Sequence, residues 1–126
     1  MSTVYNPANI ISNLSAGADL SAESNRYKAV KQVNKTIVVA AAGERIKGFL
    51  QNLPASGDAA EVATLGGGSL AIAGGTITAN DLLKVDANGD LILASVAGDE
   101  VVAVAEESAV DGDVFAVQVL NRTIHA

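Results

Sequence analysis

The residues of this chain that could do chemistry are its carboxylates, one histidine and two glycine clusters. Glu106-Glu107 and Asp111-Asp113 lie close enough in sequence to suggest acid and base work, in which one carboxyl keeps a proton while its neighbour has lost one. Adjacent strand residues point to opposite faces, however, and the second pair shares a turn with Gly112, so both pairs read as solvated acids. His125 is the next-to-last residue of the sequence, where a base cannot be held in register with a nucleophile. Asp86-Ala87-Asn88-Gly89-Asp90 offers alternating oxygen ligands, yet its glycine is fourth and position twelve is Ala97, where a helix-loop-helix calcium site needs glycine sixth and glutamate twelfth. Gly66-Gly67-Gly68 and Gly74-Gly75 lack the lysine of a phosphate loop and the spacing of a dinucleotide loop. The chain has no cysteine, which removes thiolate catalysis, disulfides and thiolate metal sites. The expectation is a protein that is not an enzyme and has no catalytic residue, metal or cofactor.

These residues sit on a repeating framework. Asn80-Asp81 leads into Leu82-Leu83-Lys84-Val85, Gly89-Asp90 into Leu91-Ile92-Leu93, Gly98-Asp99 into Glu100 to Val104, and Gly112-Asp113 into Val114 to Val119. Glycine supplies the positive φ of a tight turn, aspartate bonds its own local backbone, and β-branched runs suit a pleated surface. Asn34-Lys35 reads as a hairpin turn between strands over 26–33 and 36–42, and Asn88-Gly89 as a hairpin turn of type I′ character. Arg45-Ile46-Lys47 alternates, with Arg45 and Lys47 on one face and Ile46 and Leu50 on the other. Short strands and short turns, with no crossover helix after residue 26, define an all-β fold: a small β-barrel or sandwich-like body.

Composition sets what such a body can do. The chain is long enough for one domain with an arm. Apolar residues make up 49% of it but aromatic ones only 3%, so an alanine-rich core has to gain stability by association, and a homo-oligomer is expected. The net charge of −6 is concentrated after residue 50, where Lys84 and Arg122 alone face the remaining acids, which argues against nucleic acid and membrane as partners. No segment has the length of a bilayer span or the pattern of a secretory leader.

Residues 1–25 differ from the rest. They are rich in Asn, Ser and Ala, with isolated large groups at Tyr5, Ile10, Ile11, Leu14 and Leu20, and a short helix capped by Ser21 is one reading of their end. A segment too polar for its own core yet dotted with anchors reads as an extended N-terminal arm, with residues 26–126 as the body. On this view the five anchors dock on a partner or a neighbouring subunit, and removing residues 1–20 leaves the body folded.

The order of segments resembles a family of tailed-phage proteins. The likeness runs from Ala18-Asp19-Leu20-Ser21 and Arg26-Tyr27-Lys28-Ala29-Val30-Lys31, through Gly48-Phe49-Leu50-Gln51-Asn52-Leu53-Pro54-Ala55-Ser56-Gly57-Asp58 and Gly74-Gly75-Thr76-Ile77-Thr78, to Gly98-Asp99-Glu100-Val101-Val102. The chain is similar over residues 18–120 to capsid cement or head decoration proteins, while residues 1–17 follow no family pattern. The resemblance implies a barrel-like body made in the host cytoplasm, assembled as a homotrimer on the outer surface of the virion, and bound to the major capsid protein, where it stabilises the shell. It carries over no catalytic residue. A tail or baseplate component, or a carbohydrate-binding β module, is the alternative.

Overall fold

The computed structural model describes residues 9–124. Ten strands follow in chain order: β1 (Ile10–Ala16), β2 (Ala29–Val33), β3 (Thr36–Val39), β4 (Gly48–Leu50), β5 (Ala59–Ala63), β6 (Gly68–Ile72), β7 (Leu82–Val85), β8 (Leu91–Leu93), β9 (Glu100–Ala105) and β10 (Val114–Thr123). The first five close a barrel in the order β1-β3-β2-β4-β5, and the other five form a sheet in the order β6-β10-β9-β7-β8. A parallel bridge between Ala73 and Leu91 draws the two edges of that sheet together, and the Gly74 N–H donates to the Leu91 carbonyl at 2.7 Å. The all-β, barrel-like expectation therefore holds, with a second curved sheet beside the barrel.

The barrel and the sheet share a wall. On β2, Val30 points into the barrel core with Leu14, Ile37, Leu50 and Val62, while its neighbour Ala29 faces the second core with Phe115, Leu83 and Val102. β4 repeats the division, Leu50 facing inward and Phe49 outward, and β5 does so with Val62 and Ala63. Because successive side chains of a strand alternate in direction, a wall buried on both faces must be apolar at every position, as all three residues of β4 are. Lys28 Nζ reaches Asp90 Oδ1 at 2.7 Å across the junction, with both side chains largely buried, and Arg45 Nε meets Glu100 Oε2 at 2.9 Å.

The expected arm over residues 1–25 is corrected from Ile10 onward. β1 lies between β3, parallel through Ser15↔Thr36 and Ala16↔Ile37, and β5, antiparallel from Ile10↔Ala63 to Ser15↔Ala59. It closes the barrel, and Leu14, Ala16 and Leu20 are buried in the barrel core. The helix expected after Ser21 is a single 3-10 turn at Glu23–Asn25 with no side-chain cap; the Ser21 N–H and hydroxyl instead donate to Asp19 Oδ1.

The acidic turns share one geometry. In Ala41–Glu44, Thr78–Asp81, Val96–Asp99 and Val110–Asp113, the N–H of the fourth residue donates to the carbonyl of the first, and the fourth side chain accepts the first N–H in return. The third residue, Gly43, Asn80, Gly98 or Gly112, alone has positive φ, which defines a type II turn with a carboxylate clamp. The hairpin at Asp86–Asp90 differs from its type I′ expectation. Only Gly89 has positive φ, and Asp86 Oδ1 accepts the N–H groups of Asn88 and Asp90, so the loop is a type I turn closed by a glycine bulge.

Candidate docking cleft

Backbone N–H groups engage three of the six carboxylates considered for chemistry. Glu107 Oε2 accepts the Ala116 N–H at 2.8 Å, Asp113 the Val110 N–H at 3.0 Å, and Asp86 two N–H groups of its own loop. Among the described residues no three His, Asp or Glu side chains come close enough to hold a metal ion. His125 lies outside the described residues. Of the aromatic residues described, Phe49 and Phe115 are fully buried and Tyr27 is half-buried, so none of these rings forms an exposed platform for a sugar.

Backbone bonding also sets the acidity of several groups. The Val96 N–H, then Lys84 and the Ser95 N–H, hold the Asp99 carboxyl below the ordinary aspartate value of 3.8. Lys31 Nζ, with the Ala41 N–H, holds Glu44 below 4.5. Both acids release their protons more readily folded than unfolded, so the stability they lend is complete above the ordinary carboxylate range. It is lost as pH falls through their lower folded values. The urea midpoint is therefore expected to be level from pH 7 to about 5 and to fall below about 4.5. Asp99→Asn is expected to make that fall shallower; an unchanged profile would remove Asp99 from the account.

The surface with the features of a docking site is a cleft of about 420 Å³ at one end of the barrel, lined by Ile11, Ile46, Lys47, Thr64, Leu65 and Asn121. Ile11 comes from β1, Thr64 and Leu65 follow β5, Ile46 and Lys47 precede β4, and Asn121 comes from β10. Thr64 fixes the chain where it enters β1, its N–H and its hydroxyl both donating to the Asn9 carbonyl at 3.0 Å. Ile10 and Leu65 are each 48% exposed, an apolar edge beside the opening. Asn121 stands in an irregularity of the β9–β10 ladder between Val119 and Arg122, where a bulge re-aims side chains. Its Nδ2 donates to the Ile46 carbonyl at 3.3 Å, while its Oδ1 is buried without a hydrogen-bond partner among the described residues. A second depression of about 230 Å³ adjoins the cleft, sharing Ile46 and Lys47 and adding Lys31, Gln32 and Arg45.

Of the five anchors expected to contact a partner, Ile11 lines this cleft and Ile10 is exposed at the start of the same strand. Leu14 and Leu20 are consumed by the chain's own barrel core, a correction to their expected role, and Tyr5 lies outside the described residues. Ile46, Lys47, Thr64, Leu65 and Asn121 were not anticipated as site residues. The Arg45-Ile46-Lys47 alternation was the one signal pointing at them, because it places two cations on the face opposite a buried isoleucine.

A barrel fused to a curved sheet by a common wall, with backbone-clamping carboxylates and an apolar cleft, defines an all-β barrel-and-sheet module. No protein-family model matches the chain, and no curated protein is significantly similar to it. Among solved structures, the crystal structure of the head fiber gp8.5 N base of bacteriophage phi29 is similar at 20% sequence identity, covering 94% of this chain and 100% of that one, with a TM-score of 0.68. At that identity the likeness is one of fold, and it spans both the barrel and the sheet. The neighbour is described as a phage head fiber base.

Proposed function

We propose that the chain is a non-enzymatic structural protein of a tailed-phage head, attached to the outer surface of the shell. The observation that carries this reading is the fold likeness to a head fiber base along nearly the whole of both chains. The finer reading is a cement protein, a homotrimer seated on the major capsid protein that holds the shell together. Stability from symmetric repetition suits a thin alanine-rich core and a modest cleft, since many weak contacts fixed by one lattice add up. The fold likeness also favours a second reading, in which the chain is the base of a fibre and is present in far fewer copies.

Quantitative mass spectrometry of purified particles separates the two. A copy number comparable to that of the major capsid protein is expected for a cement protein, together with shells that fail at lower temperature when the protein is omitted and recover when it is added back. A handful of copies per particle would replace the cement reading with the fibre base. Absence from the particle would overturn the head assignment.

A further inference from the structure

Eight basic residues stand against fourteen acids in this chain, and five of them are engaged. Arg26, Lys28, Lys31, Arg45 and Lys84 each have a carboxylate within 3.1 Å. Among the described residues Lys35, Lys47 and Arg122 make no such pair. Lys47 is the one of these that lines the apolar cleft, and it is shared with the depression holding Lys31 and Arg45. An unneutralised ammonium thus sits beside an apolar wall, with two further cations beyond it that Glu44 and Glu100 already meet, on a protein whose net charge is −6. Beside it stands a buried acceptor, Asn121 Oδ1, that no group among the described residues satisfies.

We propose that the cleft and the adjoining basic depression form one recognition surface for an acidic polypeptide segment carrying an aromatic anchor with a hydrogen-bond donor. The ring enters between Ile46 and Leu65, Asn121 swings its enclosed Oδ1 out to accept the ring's donor, and the flanking carboxylates meet Lys47 ahead of Arg45 and Lys31, which Glu100 and Glu44 already hold. Each part of the surface selects for one part of this ligand. Carbon-lined walls give a free inorganic anion nothing to bury, and a buried acceptor disfavours a purely aliphatic anchor. Nucleic acid extends its charge well past the roughly 8 Å over which Lys47 is felt at physiological salt, and would meet the acidic body. A short acidic segment feels the local cations only.

The assignment rests on the head attachment proposed above and makes the cleft its contact surface, but its test needs no particle. The full chain, labelled with nitrogen-15, is titrated with a capped peptide in which one tyrosine is flanked on both sides by aspartates and glutamates. Saturable shifts confined to amides around Lys47, Leu65 and Asn121 are expected, weakening as salt is raised. Lys47→Glu is expected to lower affinity at least about tenfold, and phenylalanine in place of the peptide's tyrosine about fivefold. Leu65→Ser, at a half-exposed position, should weaken binding while leaving the rest of the spectrum in place.

Absence of saturable shifts, or equal binding of the same peptide with lysines for its acids, would overturn the proposal. Tighter binding of a single-stranded DNA 12-mer at the same amides would overturn it in favour of nucleic acid. Shifts of these amides on concentrating the protein alone would do so in favour of a second copy. Loss of particle attachment with peptide binding intact would count against the head reading alone, and retention of attachment in Lys47→Glu would count against the acidic partner alone.

Discussion

A chain lacking residues 1–20 is expected to be unfolded, with no cooperative urea transition and with aggregation on concentration. The truncation removes β1 from between β3 and β5 and takes Leu14, Ala16 and Leu20 out of the barrel core. Emptying the sites of two buried leucines alone costs about 4–10 kcal/mol, comparable to the roughly 5–15 kcal/mol that holds a typical domain together. The backbone groups of β3 and β5 that β1 satisfied would also become open edges, which template pairing with other chains. A chain beginning at Asn9 keeps every pairing of β1 and is expected to melt cooperatively. Circular dichroism and urea titration of the two truncations decide the matter; a folded product of the longer deletion would mean that the barrel closes without β1 and that the first twenty residues are an arm after all.

Gly48→Ala is the point substitution expected to do most damage. Gly48 begins β4 in the shared wall, pairs with Val30, and lies against β5. A methyl group there would fall within the van der Waals shell of the Ala63 carbonyl oxygen, 2.7 Å from the carbonyl carbon and 2.8 Å from Val62 Cγ1. Two of these atoms are backbone, in the strand that also pairs with β1, so no side-chain rotation relieves the overlap. Overpacking of this kind costs about 3 kcal/mol or more, or roughly 10 °C in melting temperature for a domain of this size. Gly57→Ala provides the control, because that glycine has open space around it and the penalty there is confined to its positive φ. A loss at Gly48 no larger than the one at Gly57 would show that the wall yields to the added methyl and that crowding does not set the cost.

The second half of the fold was legible because its signals are local. The Asn80-Asp81, Gly98-Asp99 and Gly112-Asp113 pairs each mark a turn whose carboxylate bonds three residues back, and each is followed by a strand that it starts. β1 was illegible for two physical reasons. Its Ser and Asn content lowers its β character, and the register shift between Ile11 and Leu14 breaks the alternation by which a strand half in the core is recognised. Leu14 and Leu20 therefore looked like loose anchors when they are core. The cleft was illegible for another reason: its walls come from residues 11, 46–47, 64–65 and 121, and no spacing within the sequence joins them before the barrel closes. Phe49 and Leu50 face two different cores from adjacent positions, which a pattern search for one buried face cannot register.

The place of β1 also sets the order in which the protein can be made. β1 leaves the ribosome ahead of the other nine strands described and has its partners at residues 36–37 and 59–63, so it waits, unpaired with them, until Ala63 has been added. At ordinary synthesis rates that wait is roughly 2–10 s. β2 and β3 can meet at once through their two-residue turn, and β4 and β5 can join them before the barrel is shut. Synthesis order thus allows an open four-stranded sheet, β3-β2-β4-β5, with two free edges, both of which β1 covers when it closes the barrel.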